Sequence, residues 1–256
     1  MDGKRIILAA HRGDRANYPE NSLAAFRAAL EFGADMIETD IRMTRDGELV
    51  LIHDRSTLRT SGIDKNVDEL TLAELKEIDV GEGERVPTVR EFLELIKDSD
   101  MLVNWEFKVY PDLYGDEYAF LIVDKLITLV EEYGLESRSM MNSFSDRLLE
   151  YIYKKHPKRF PIHGQGIDVC RRTKDEAEMR EEELFDWCCM YGRVKGESPL
   201  DCPEAFGYCN EHGILPCICI ADELESYKLA IELGCRMFTS NNITLADEIL
   251  RRLGAR

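Results

Sequence analysis

Met36-Ile37-Glu38-Thr39-Asp40-Ile41 sets two carboxylates two residues apart inside an apolar run of strand length. Side chains of a strand alternate between its faces, so Glu38 and Asp40 share one face while Ile37 and Ile41 take the other. In an antiparallel sheet such a polar face would meet solvent. In a closed parallel barrel covered by helices, the same alternation aims both carboxylates into the lumen. The surroundings decide between these settings. Apolar runs of strand length at 5–10, 36–41, 101–107, 139–144, 159–163, 187–190, 214–220 and 236–239 alternate with helical patterns along the whole chain, the mark of parallel βα units. The helices are announced by caps and period. Leu23, Phe26 and Leu30 form a stripe after Asn21 and Ser22 and stop at Gly33, Thr71-x-x-Glu74 and Thr88-x-x-Glu91 read as capping boxes, and Ser145, Asp222 and Thr244 are further N-caps. Eight repeats can close into a barrel or remain an open doubly wound sheet. The count of eight and the absence of a Gly-rich phosphate fingerprint favour closure. The expected fold is α/β, a (β/α)8 TIM-type barrel with a small β-hairpin excursion after strand 2. The length of 256 residues is that of one such domain over 1–256.

Composition narrows the function. Hydrophobic residues at 44% and charged residues at 32% describe a folded, soluble chain. The 33 Lys+Arg against 50 Asp+Glu give a net charge of −17, which repels polyanions and argues against nucleic acid or an anionic membrane as partner. An anionic substrate must therefore find a local positive site. The apolar stretch Ile6-Ile7-Leu8-Ala9-Ala10 runs straight into His11-Arg12, too short for a signal sequence or membrane span. A cytoplasmic protein without a stable membrane anchor is expected, with its oligomeric state open. The eight cysteines, at 170, 188, 189, 202, 209, 217, 219 and 235, contain no C-x-x-C pair. They read as reduced, buried structural thiols, a zinc set from Cys188-Cys189 and Cys217/Cys219 being the minor alternative.

A second polar strand, Asn104-Trp105-Glu106-Phe107-Lys108, repeats the period-two pattern. Glu38, Asp40 and Glu106 then converge on one mouth of the barrel. Like charges so close raise each other's pKa unless a cation holds them, and hard ions such as Ca²⁺ or Mg²⁺ take all-oxygen sets. The plainer alternative pairs the carboxylates with Arg12 and Lys108 alone. In Met43-Thr44-Arg45-Asp46-Gly47-Glu48-Leu49-Val50-Leu51-Ile52-His53-Asp54, Asp46-Gly47 signals a two-residue hairpin turn. That register pairs Asp40 with His53 and returns a histidine to the acidic site. His11 reaches the same rim at the end of the first strand, and two histidines beside one acidic site point to proton transfer. His156, His163 and His212 lack such company and read as structural.

Taken together, His11-Arg12-Gly13, Pro19-Glu20-Asn21-Ser22, Gly33-Ala34-Asp35-x-Ile37-Glu38-x-Asp40, Thr44-x-Asp46-Gly47 and His53-Asp54 resemble the hallmark run of glycerophosphodiester phosphodiesterases. The likeness continues through Leu70-Thr71-Leu72-x-Glu74-Leu75, Val86-Pro87-Thr88, Glu106-x-Lys108 and Ser143-Phe144 to the segment 234–239. It implies a barrel, a divalent cation (Ca²⁺ or Mg²⁺) on Glu38, Asp40 and Glu106, acid/base histidines at His11 and His53, and phosphate contacts from Arg12 and Lys108. The implied reaction is hydrolysis of a small-molecule glycerophosphodiester to sn-glycerol 3-phosphate and an alcohol. Which histidine is the acid, and whether water or a substrate hydroxyl attacks, stay open. Alternatives are a lysophospholipase D-type phosphodiesterase, for which no amphipathic loop stands out, a non-catalytic phosphodiester-binding relative, or an unrelated metal-dependent hydrolase on the same barrel. Two departures from the family pattern are expected to touch neither metal nor histidines: Cys219-Ile220-Ala221-Asp222 replaces an aromatic segment, and Thr239-Ser240-Asn241-Asn242 replaces a Thr-Asp-x-Pro run. The short stretch from His53 to Glu106 leaves no room for a large lid domain.

Overall fold

The computed structural model describes residues 5–166, 177–191, 203–220 and 223–256. Cys170, Cys202 and the segment Ala221-Asp222, including the expected cap Asp222, lie outside them. Eight parallel strands, β1 (Ile7–His11), β2 (Met36–Met43), β4 (Leu102–Phe107), β5 (Ser139–Ser143), β6 (Ile162–Gln165), β7 (Trp187–Tyr191), β8 (Leu215–Cys219) and β9 (Met237–Ser240), run in one sheet. The sheet closes because β1 pairs with both β9 and β2. The short β3 (Leu49–Leu51) adds antiparallel to β2 outside the parallel ring. The expected barrel with a hairpin after strand 2 is what forms.

The period of two sorts the core. Leu8, Ala10, Ile37, Ile41, Val103, Trp105 and Phe107 face outward into the large cluster shared with the helices. Inside the barrel, Ile7, Ala9, Met36, Met140, Trp187, Cys189, Cys217 and Met237 make a smaller packed lumen. The polar residues of β2 and β4 lie on this lumen face, nearer the carboxyl ends.

The expected caps form at the helix Leu23–Phe32, where the Ser22 side chain accepts from Ala25 N and Gly33 ends the helix at φ 81°. Both capping boxes and the Ser145 cap are present. Thr244 is not a cap: Asn242 accepts from Leu245 N instead, because Thr244 is already in the first turn. The hairpin register also differs from the expectation. Ile41 pairs with Leu51 and Met43 with Leu49, and Ile52 N donates to Asp40 O at 2.9 Å, so Ile52 and not His53 lies opposite Asp40. The loop has three residues, with Gly47 N donating to Thr44 O at 3.0 Å and Gly47 at φ 87°. Glycine supplies the left-handed residue of a type I turn with a bulge, which adds one residue and shifts every pair by one. Val50 and Ile52 pack with Val67, Leu75, Ile78, Val80 and Val86 in a satellite cluster beside the barrel.

Candidate active site at the barrel mouth

Glu38, Asp40 and Glu106 meet because Asp40 and Glu106 are direct partners in the β2–β4 register, with Glu38 two residues earlier on the same face. All three are buried, and a carboxylate oxygen from each lies within 4.8 Å of the others. The turn after β1 brings the basic partner. Arg12 sits at φ 60° and Gly13 at φ 79°; a Cβ on Gly13 would lie 2.7 Å from the Ala25 backbone, so His-Arg-Gly is what lets this turn press on the following helix. Arg12 N donates to the Glu38 carbonyl at 2.9 Å and to Glu38 Oε2 at 3.2 Å. Its side chain donates to Glu20 at 2.9 Å, while Nε lies 3.1 Å from Asp40 Oδ2 without hydrogen-bond alignment. Lys108 contacts Glu106 and stands 3.3 Å from Asp40 Oδ1.

Residues without an assigned role in the sequence complete the frame. Asn21, at φ 54°, donates to Asp40 Oδ2 at 2.8 Å and accepts from Thr39 Oγ1 at 2.8 Å. Glu20 gathers Arg12, Arg15 and Arg59, which outweigh its burial and hold its carboxyl at about 2. Asp54 Oδ1 accepts from His53 Nδ1 at 2.6 Å, and Arg59 braces Asp54 at 2.5 Å.

Both predicted histidines reach the site. His53 arrives by a bend after β3 instead of by strand pairing, with its carbonyl held by Arg42 Nε at 3.0 Å. His11 is the last residue of β1, buried, with Nε2 3.7 Å from Glu38 Oε2. Its Nδ1 lies 2.6 Å from Asn241 Oδ1. An amide oxygen only accepts, so Nδ1 carries the proton and the Nε2 lone pair faces the carboxylates. This corrects the expectation that the departure at 239–242 leaves the histidines untouched. Asn241 is 230 residues from His11 in the chain, and β9 beside β1 alone makes them neighbours. No local pattern in the sequence signals that contact.

The electrostatics are those of an acidic set short of positive charge. Burial, then Asp40 and Glu106, push the Glu38 carboxyl well above the usual range. For Asp40, burial acts upward, but Lys108, Arg12 and His53 outweigh it and hold the carboxyl down. Lys108 is raised despite burial by Glu106 and Asp40. Burial and Arg12 lower His11 to about 3, and burial with Lys108 lowers His53. Glu38 Oε1 and Asp40 Oδ1 are buried without a hydrogen bond. Pairing with Arg12 and Lys108 alone would leave these oxygens unsatisfied, whereas a hard divalent ion takes such oxygens as ligands. The residues present fit that group.

A parallel barrel that gathers carboxylates, histidines and two buried cations at the carboxyl ends of its strands is of the TIM-barrel class, with its polar set where sites of that fold sit. A sequence profile of the glycerophosphoryl diester phosphodiesterase family matches residues 11–190, and the chain belongs to that family. A glycerophosphodiester phosphodiesterase from Caldanaerobacter subterraneus subsp. tengcongensis is 42% identical over 160 residues, 60% of this chain and 64% of that protein. One from Bacillus altitudinis is 35% identical over 158 residues, 59% and 62% of the two chains. These matches thus span somewhat under two thirds of the relatives' length. Among solved structures, an Oleispira antarctica phosphodiesterase in complex with the product sn-glycerol-3-phosphate superposes with TM-score 0.80 at 20% identity, covering 96% of each chain. A glycerophosphodiester phosphodiesterase from Thermotoga maritima gives 0.74 at 22%, covering 96% and 98%. At these identities the structures speak for the fold.

Proposed function

We propose that the protein hydrolyses glycerophosphodiesters to sn-glycerol 3-phosphate and an alcohol, with Glu38, Asp40 and Glu106 holding a divalent cation, Ca²⁺ or Mg²⁺. The observation that carries this reading is the pair of buried carboxylate oxygens on Glu38 and Asp40 that accept no hydrogen bond, flanked by two histidines whose Nδ1 atoms are each held by an oxygen. When bound, the cation supplies Lewis-acid stabilisation of charge on the phosphoryl oxygens. Charge balance supports the set. Three carboxylates against Arg12 and Lys108 leave one net negative charge, and a phosphodiester adds another, so one divalent ion neutralises the complex.

The chain's own groups do the rest. Arg12 and Lys108 hold the phosphate, and Arg15 and Arg59 keep Glu20 ionised so that Arg12 stays in place. His11 and His53, each with Nδ1 occupied, offer Nε2 to the reacting oxygens: one takes a proton from the nucleophile and the other gives one to the leaving alkoxide, contributing on the order of 10²–10⁴ each. The test is release of glycerol 3-phosphate from several glycerophosphoalcohols with and without a chelator, followed by separate addition of Ca²⁺ and Mg²⁺. Tight binding without turnover would make the protein a phosphodiester-binding relative instead.

One observation favours a second reading, removal of the head group from a lysophospholipid. Leu58 and Ile63 after His53, Leu113 after β4 and Phe144 after β5 are large apolar side chains exposed in segments that follow site-bearing strands. Such residues give an acyl chain an apolar approach. Including a lysophospholipid in the same assay separates the two substrates.

A further inference from the structure

One lumen layer beneath Glu106, at the level of Asn104, three adjacent strands bring together side chains that the phosphodiesterase reading does not use. His163 on β6, Cys189 on β7 and Cys217 on β8 are all buried, and one donor atom from each lies within 4.8 Å of the other two. Cys189 and Cys217 are direct partners in the β7–β8 register. His163 Nε2 stands 3.1 Å from Cys217 Sγ. His163 thus has the company that its sequence neighbourhood did not suggest. We propose that His163, Cys189 and Cys217 form a binding site for a thiophilic divalent cation, zinc, inside the barrel and separate from the carboxylate site.

Four observations support it. First, the donor set is chemically selective: one imidazole and two thiolates suit zinc, while Ca²⁺ and Mg²⁺ take oxygen. Second, the size is right. Sulfur at ~2.3 Å and nitrogen at ~2.0 Å from a tetrahedral ion place the ligand atoms ~3.5–3.8 Å apart, so the observed cluster needs side-chain shifts of only ~0.5 Å. Third, charge balances. Zinc displaces one proton from each of two thiols, the protons leave to solvent, and two thiolates with a neutral imidazole give a neutral complex suited to an apolar lumen. Burial holds His163 neutral, with its pKa lowered to about 3.

The fourth observation is independent of the ligands. Asn104 Nδ2 lies 3.0 Å from His163 Nδ1, and Asn104 Oδ1 is buried with no hydrogen-bond partner. In this arrangement the amide donates to Nδ1, Nε2–H points at Cys217 Sγ, and the Cys217 thiol donates to Cys188 O at 3.2 Å. That network satisfies everything except the Asn104 oxygen. Metal-bound imidazole donates its distal N–H to an acceptor. A half-turn of the Asn104 amide presents Oδ1 to Nδ1–H, frees Nε2 for the ion and gives the orphan oxygen its partner. Cys219, on the same face of β8 and hydrogen-bonded to Cys189, is held as a neutral thiol beside the cluster, so the two-thiolate charge balance stands.

The experiment is elemental analysis and zinc X-ray absorption on the full chain expressed with supplemental zinc and passed through a chelator, alongside Glu106→Gln and the double variant Cys189→Ser/Cys217→Ser. About one zinc per chain with two sulfur neighbours at ~2.3 Å is expected in the parent and in Glu106→Gln, falling at least tenfold in the double variant. Should the double variant fail to fold, protein expressed with cobalt decides: a thiolate-to-cobalt charge-transfer band is expected. No retained zinc, zinc with only oxygen and nitrogen neighbours, zinc retained undiminished by a folded double variant, or cobalt protein without the band would each overturn the site.

Discussion

Asn241 does for His11 what Asp54 does for His53: each occupies Nδ1 and so leaves Nε2 out of that contact. The two supports differ in charge, so the histidines differ in strength as bases. His11→Ala and His53→Ala should each lower kcat by at least ~10²-fold with a smaller effect on KM, since proton transfer belongs to the transition state. Asn241→Ala should lower kcat by about tenfold and leave KM nearly unchanged, because it loosens the ring without removing it; an effect confined to KM would take Asn241 out of this positioning role. His163 allows a test of a different kind. Burial lowers its pKa from 6.5 to about 3, and no charged group contributes to that shift. The unfolded chain therefore takes up a proton near pH 6.5 that the folded chain refuses. Stability from a neutral His163 is fully present above about pH 6.5 and falls with acid, by up to ~1.4 kcal/mol per pH unit, until the folded group protonates near pH 3. Urea midpoints of the metal-free protein between pH 7 and pH 5 should therefore drop more steeply for the parent than for His163→Gln. Parallel curves would show that His163 is not held neutral.

At the scale of elements, two glycines mark where backbone geometry limits the fold. Gly47 at φ 87° closes the three-residue hairpin that carries the chain toward His53, and Gly47→Ala should cost about 1 kcal/mol in denaturant unfolding. Gly164 in β6 is more severe. A Cβ there would lie 2.2 Å from the buried Phe185 ring, so Gly164→Ala should destabilise by about 3 kcal/mol, and Phe185→Leu in the same chain should recover part of the loss. An additive double variant would mean that the strain lies elsewhere. These elements also show what could be read in advance. Glu38, Asp40 and Glu106 were legible because a period of two survives in any strand, and the capping boxes because a cap acts within one helical turn. The hairpin register was not, since Asp-Gly serves both a two-residue turn and the bulged three-residue turn found here. The links His11 to Asn241 and His163 to Cys217 were illegible for a different reason: they cross between strands whose neighbours are set by barrel closure, and no local spacing encodes them.

The whole molecule carries −17, and the buried cations of the mouth are Arg12 and Lys108, both already engaged with carboxylates. A polyphosphorylated leaving group therefore meets repulsion outside the mouth and little free positive charge inside it, whereas a neutral or cationic alcohol meets neither difficulty. Recognition should concentrate on the glycerophosphate half. By the family resemblance, Cys219 stands where an aromatic segment is expected. Trp105 cannot replace it, because its ring is fully buried on the helix side, edge-on to Phe92 at 5.4 Å, with Nε1 donating to Ser139 at 3.0 Å. Among the described residues, two other aromatics stand near the mouth: Phe144, partly exposed and already beneath the Lys108 ammonium at 5.3 Å, and Tyr110, whose phenol pKa is raised by burial and which interacts with Lys108, Glu106 and Asp40. A quaternary ammonium would compete with that lysine for either ring, so cation–π attraction of about 0.5–2 kcal/mol is what choline can gain, roughly thirtyfold at the upper end. Specificity constants for the glycerol, ethanolamine, choline and inositol diesters should accordingly lie within about thirtyfold of one another, and Phe144→Leu should narrow any choline preference further. A choline preference of ~10³-fold, about 4 kcal/mol, that survives Phe144→Leu would require an aromatic cage elsewhere and would refute recognition through the glycerophosphate half.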